Sequence, residues 1–185
     1  VGGGFFMATL NSLYLEAGDG DRVGYALEYF GPHVEAGPSN QRYFSISGIK
    51  IAGYRHFGDR LAEFSTTLSG DVLLLAYNTN IGGFAFMRCR GGKVVRKLVF
   101  GYDEGDCRWE VVEGVPEVWE TMMFSEEGLE DALRNSACEQ GGRQPLRDRW
   151  AAHSISPGDF FPHSPDYRVE WDLDLPGAAE NWNPP

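Results

Sequence analysis

Four runs of sequence decide the fold: Val72-Leu-Leu-Leu-Ala-Tyr-Asn-Thr79, Phe84-Ala-Phe-Met-Arg-Cys-Arg90, Lys93-Val-Val-Arg-Lys-Leu-Val-Phe-Gly-Tyr102 and Cys107-Arg-Trp-Glu-Val-Val-Glu113. Each has strand length and is rich in β-branched, aromatic and aliphatic residues, and each is set off from the next by turn-forming residues. The separators are Asn80-Ile-Gly-Gly83, Gly91-Gly92 and Asp103-Glu-Gly-Asp106. The Gly-Gly pair supplies the positive φ angles that a two-residue hairpin requires. Short connections of this kind join antiparallel neighbours, so the four runs predict a four-stranded meander, ended by Gly114 and Pro116.

Working toward the N-terminus, Tyr43–Tyr54 is β-like, with Gly48 expected to mark a bulge. Asp59 is expected to cap a short helix with Leu61, Phe64 and Leu68 inward. A first strand over Ala8–Glu16 puts Leu13 and Leu15 on one face. Asp19 or Asp21 can cap a helix whose Val23, Ala26, Leu27 and Phe30 recur at the i, i+3, i+4, i+7 spacing of a buried face, closed by Gly31-Pro32. Toward the C-terminus, Ser125 reads as an N-cap, with Glu126 and Glu127 near the positive end of the helix it starts. From Gly141 onward the chain holds seven of its ten prolines, interspersed with Trp150, Phe160, Phe161, Tyr167, Trp171 and Trp182. That composition predicts an irregular segment, 141–176, wrapping back onto the core, with a strand near Tyr167–Leu173 and a loose tail at 177–185. Residues 1–6, ahead of Met7, read as loose or added sequence. The expected class is α+β in a single domain over 1–185: an antiparallel β-meander with helices packed on one face.

Composition narrows the functional classes. A hydrophobic fraction of 42% and an aromatic fraction of 14% in 185 residues suit a packed domain and argue against disorder. No apolar run approaches the ~20 residues that span a bilayer. Cys89, Cys107 and Cys138 are odd in number and lack a C-x-x-C pair, which favours reduced thiols and a cytoplasmic location over a disulfide framework or zinc ribbon. The net charge of −11 predicts repulsion of nucleic acid and anionic membrane. The charge is also concentrated. Between Asp103 and Asp131 lie eleven acids against one base, Arg108, so this segment carries ten of the eleven excess negative charges. Just before it, Arg88, Arg90, Lys93, Arg96 and Lys97 form a basic stretch containing no acid.

Recognisable catalytic motifs are missing from the sequence: no G-x-S-x-G, P-loop or H-E-x-x-H occurs. His153, Asp159, His163 and Asp166 carry metal-ligand side chains at a spacing that matches no metal motif, and ordinary loop polarity is the favoured reading. Cys89 is flanked by Arg88 and Arg90, but strand alternation puts those side chains on the opposite face, so a small buried hydrophobe is expected. Glu110, Glu113, Glu117 and Glu120 include no carboxylate pair whose geometry is legible. No cofactor or metal is implied.

The stretch Lys93-Val-Val-Arg-Lys-Leu-Val-Phe100 followed by Trp109-Glu-Val-Val-Glu-Gly-Val-Pro-Glu-Val-Trp-Glu120 resembles small bacterial proteins with a V-E-G-x-P-x-x-W-E ending, some of them immunity partners of polymorphic toxins. The resemblance covers about 30 residues and implies no active-site residue. It implies a non-catalytic protein-binding domain that neutralises a basic toxin. The expected contacts with that basic partner are Asp103, Glu104, Asp106, Glu113, Glu117, Glu126 and Glu127, with Trp109 and Trp119 as aromatic anchors. The alternatives are an enzyme using the His153–Asp166 region and a structural or assembly component.

Overall fold

In the computed structural model the described residues are 9–18, 21–78, 83–103, 109–120, 169 and 172–177. Their elements run β1 (Thr9–Glu16), α1 (Arg22–Phe30), β2 (Glu35–Ser39), β3 (Tyr43–Ser47), α2 (Tyr54–Thr67), β4 (Asp71–Asn78), β5 (Gly83–Arg90), β6 (Lys93–Phe100) and β7 (Trp109–Gly114), then a 3-10 turn at Val118–Glu120. The seven strands form one antiparallel sheet in the order β2-β3-β1-β4-β5-β6-β7. The class is therefore α+β, as the sequence predicts, and β4 to β7 are the expected meander. The Gly91-Gly92 turn has φ values of +54° and +80°.

The sheet is covered on both faces. On one side Leu13, Leu15, Ile46, Val72, Leu74 and Val99 lie beneath the helices. Helix α2 contributes Phe57, Leu61 and Phe64, spaced four and three apart, which is the spacing that brings side chains onto one helical face. Helix α1 adds Ala26 and stacks Tyr25 on Phe64 at 5.5 Å. On the other side Tyr14, Tyr43, Leu73, Leu75, Phe86 and Phe100 pack with Trp109, Trp119, Val169, Leu173 and Leu175. Strand β4 is flanked by β1 and β5 and faces both layers, so Val72–Ala76 reads as an unbroken apolar run rather than an alternating one. Leu61 is fully buried, and its truncation to alanine should cost about 2–5 kcal/mol.

Four local expectations are corrected. Strand β3 ends at Ser47, and Gly48 at φ +79° terminates it rather than bulging it. A Cβ at Gly48 would collide with the His33 carbonyl. Ile49 leaves the sheet and gives its carbonyl to the Asn11 side-chain amide at 2.7 Å. Helix α2 starts at Tyr54, so Asp59 sits inside it rather than capping it. Val169 and Leu173 form a helical turn, with the Leu173 N–H donating to the Val169 carbonyl at 3.2 Å, not a strand. Strand β2 is additional: all five of its residues are exposed, so no apolar alternation marks it, and it forms because β3 offers it an edge. Helix α1 follows expectation, with the Asp21 side chain accepting from the Gly24 N–H at 2.7 Å and Gly31 ending it at φ +94°. The buried Val169, Leu173 and Leu175 place these C-terminal residues on the sheet. The remainder of the 141–176 segment, residues 1–6 and the tail from 178 lie outside the described residues.

Candidate interaction surface

Alternation along β4 and β5 sends Asp71 and Arg88 to the sheet face opposite the helices, near one end of the strands. Asp71 is 1% exposed and is held by two arginines. The Arg88 Nε donates to its Oδ2 at 3.0 Å and the Arg90 Nη2 to the same oxygen at 2.7 Å, with further contacts from both guanidinium groups. Burial alone would raise the Asp71 carboxyl. The hydrogen bonds and charges of Arg90 and Arg88 together outweigh it and hold the group below the ordinary aspartate range. The Asp71 backbone N–H is taken by Glu16 at 2.9 Å. Arg88 then reaches across to Glu117 at 3.0 Å, tying β5 to the segment after β7.

Arg96 on β6 does the same from deeper in the fold. It is fully buried, and its guanidinium is bidentate to the equally buried Glu120, with Nε to Oε1 at 2.8 Å and Nη2 to Oε2. Its Nη1 donates to the carbonyls of Glu113 at 2.8 Å and Gly114 at 3.1 Å. One planar fork thus clips both limbs of the corner between β7 and the 3-10 turn. Glu120 also accepts from the Glu117 N–H at 2.9 Å, and the Trp119 indole N–H donates to Glu117 at 3.2 Å. The Trp119 ring packs edge-on against Phe86 at 5.1 Å. Gly114 turns the chain at φ +85°, where a Cβ would strike the Val95 carbonyl.

Three fixed positions of V-E-G-x-P-x-x-W-E, Gly114, Trp119 and Glu120, now have a physical role, as does Glu117 at one of its variable positions. Gly114 allows the turn, Trp119 fills the core, and Glu117 and Glu120 receive arginines from the neighbouring strands. The basic stretch, acid-free along the chain, meets acids in three dimensions: Arg88 and Arg90 at Asp71, Arg88 at Glu117, Arg96 at Glu120. Lys97 gives its ammonium to the Arg55 carbonyl on α2, while Lys93 is exposed.

The sequence-predicted contact residues separate accordingly. Trp109 is 5% exposed and sits edge-on to Phe100 at 5.3 Å, and Trp119 is 7% exposed. Both rings are core, so neither presents itself as a surface anchor. Glu117 is half-buried in its ion pair. Asp103 is exposed but occupied: its carboxylate accepts from the Tyr54 and Arg55 N–H groups at 2.8 and 2.5 Å, capping α2 across 48 residues of chain. Its own N–H donates to Glu110 at 2.9 Å. Glu113 faces solvent. Glu104, Asp106, Glu126 and Glu127 lie outside the described residues, as do Cys107, Cys138 and the His153–Asp166 region.

Cys89 is fully buried, and burial pushes its thiol up to about 12, in keeping with a small core residue. Among the described residues no group of three or more His, Cys, Asp or Glu is placed to hold a metal ion, and no helix is long and apolar enough to cross a membrane.

Sequence reasoning overlooked three valines. Val115 is 77% exposed and Val118 is 87% exposed on the two sides of Pro116-Glu117, and Val95 is 41% exposed on the adjoining strand. Apolar residues are ordinarily assigned inward. The usable signal was the Gly114-Val-Pro116 break, which removes Val115 from the alternation of β7 and leaves its direction open.

No protein-family model matches the chain, and no match is found among curated proteins or solved structures.

Proposed function

We propose that this chain is a non-catalytic protein-binding domain, most concretely a bacterial immunity protein that neutralises a basic toxin through an acidic surface. The observation that carries the reading is the concentration of charge: eleven acids and one base between Asp103 and Asp131 in a chain of net charge −11. The internal ion pairs spend only part of it. Glu117 and Glu120 are answered by Arg88 and Arg96 from outside the segment, and Asp103 serves a helix end. Glu113 remains on the surface. Like charges at that density oppose compactness, whereas an interface gains faster encounter with a cationic partner and rejection of wrong ones.

The test is a pull-down from the native host followed by association kinetics with the captured protein. A basic partner is expected, with an association rate falling at least about tenfold from low to high salt. For the immunity reading, expression of the captured protein alone should arrest cells and co-expression of this chain should rescue them. An acidic partner, or an association rate indifferent to salt, would overturn the proposal.

A further inference from the structure

We propose that the basic partner docks on the corner between β7 and the 3-10 turn, with Val115 and Val118 as its apolar contacts and Glu113 as its charged one. The inference rests on the protein-binding reading above and gives it a location. Two valines at 77% and 87% exposure stand on either side of a proline, in a segment whose backbone is otherwise tightly held. Arg96 clips Glu113, Gly114 and Glu120, and Arg88 holds Glu117. A surface fixed in this way loses little conformational entropy when a partner covers it. The third exposed valine, Val95, precedes Arg96 on β6, and its backbone carbonyl lies against Gly114.

Charge selects the occupant. Glu113 is exposed at the corner, and the flanking sequence on either side, from Asp103 to Asp131, is acidic but for Arg108. A cationic protein with an aliphatic patch complements both features. A second copy of the chain does not, since a two-fold contact would set Glu113 and its acidic neighbours against themselves. With the indoles of Trp109 and Trp119 buried, Val95, Val115 and Val118 are the exposed large apolar side chains among the described residues.

The experiment places a benzoylphenylalanine photocrosslinker at Val118 of the full-length chain, and in a control at Glu35 on β2, the exposed strand at the opposite edge of the sheet. After irradiation in the native host, position 118 should yield an adduct with a basic protein and position 35 none. With that crosslinked protein purified, V115S/V118S should raise the dissociation rate about tenfold or more at little change in association rate, while E126K/E127K should slow association. The valines are exposed, so the double variant should keep the wild-type melting curve. No adduct at 118, equal adducts at 118 and 35, or an adduct of twice the chain mass would overturn the inference. An unchanged dissociation rate in V115S/V118S alongside slowed association in E126K/E127K would overturn the corner alone. Association indifferent to both salt and E126K/E127K would remove the protein-binding reading and the corner with it.

Discussion

Replacing Glu120 by glutamine is the sharpest probe of what holds the corner together. Arg96 and Glu120 are both 0% exposed, and the carboxylate receives two guanidinium nitrogens and the Glu117 N–H. Glutamine preserves the shape and one acceptor but removes the charge, leaving a fully buried guanidinium that cannot deprotonate. Breaking a buried pair from one side costs about 3–5 kcal/mol. For a chain of this size that corresponds to a fall in Tm of roughly 10 °C. Removing both charges is a different perturbation. R96M/E120L discards the desolvation penalty of both ions, and such replacements are often neutral or better. Here it also strands the Glu113 and Gly114 carbonyls that Arg96 serves, each worth about 1 kcal/mol. The double variant should therefore lie between wild type and E120Q. Urea unfolding of wild type, R96M, E120L, R96M/E120L and E120Q at neutral pH measures the losses and the coupling energy. An E120Q loss under about 1 kcal/mol, or losses in R96M and E120L that simply add in the double, would refute the claim that this pair clips the corner.

Three further outcomes are expected. The Asp71 carboxyl is held below its unfolded value, so its contribution to stability is present above about pH 4 and is lost as pH falls through the folded value. Glu120, raised chiefly by burial against the pull of Arg96, works in the opposite sense. Acid titration of stability should thus flatten specifically in D71N relative to wild type, and parallel acid limbs would contradict the Asp71–Arg88–Arg90 account. D103A should cost about 0.5–2 kcal/mol through loss of the α2 cap, with hydrogen exchange quickening at the Tyr54 and Arg55 amides; unchanged exchange there would show the cap to be idle. In a C107S/C138S background, Cys89 should resist Ellman's reagent until the protein is denatured, because its thiol is buried and pushed up to about 12. Rapid labelling of the native protein would place it at the surface.

Local chemistry along the chain determined most of the architecture. The strand runs from Val72 to Glu113 separated by Gly-rich turns, the Asp21 cap and the Gly31 stop are short-range facts, since turn propensity and side-chain period need no distant partner. Nearest-neighbour connections then made the meander antiparallel. Tertiary structure decided what the polar residues do. Arg88, Arg96, Glu117 and Glu120 looked like a basic stretch preceding an acidic one, and only strand register brings residues as much as 29 positions apart into ion pairs. Asp103 looked like an exposed hairpin tip but finds the end of a helix that begins 49 residues earlier. Trp109 and Trp119 looked like anchors, yet the aromatic face of the sheet needed them as cover. Val115 and Val118 would have been assigned to the core, and a glycine turn clipped by a buried arginine holds them in water instead. The division has one physical reason. Backbone conformation responds to adjacent residues, whereas the fate of a charge or an indole depends on the dielectric and the partners around it, and those are supplied by segments remote in sequence.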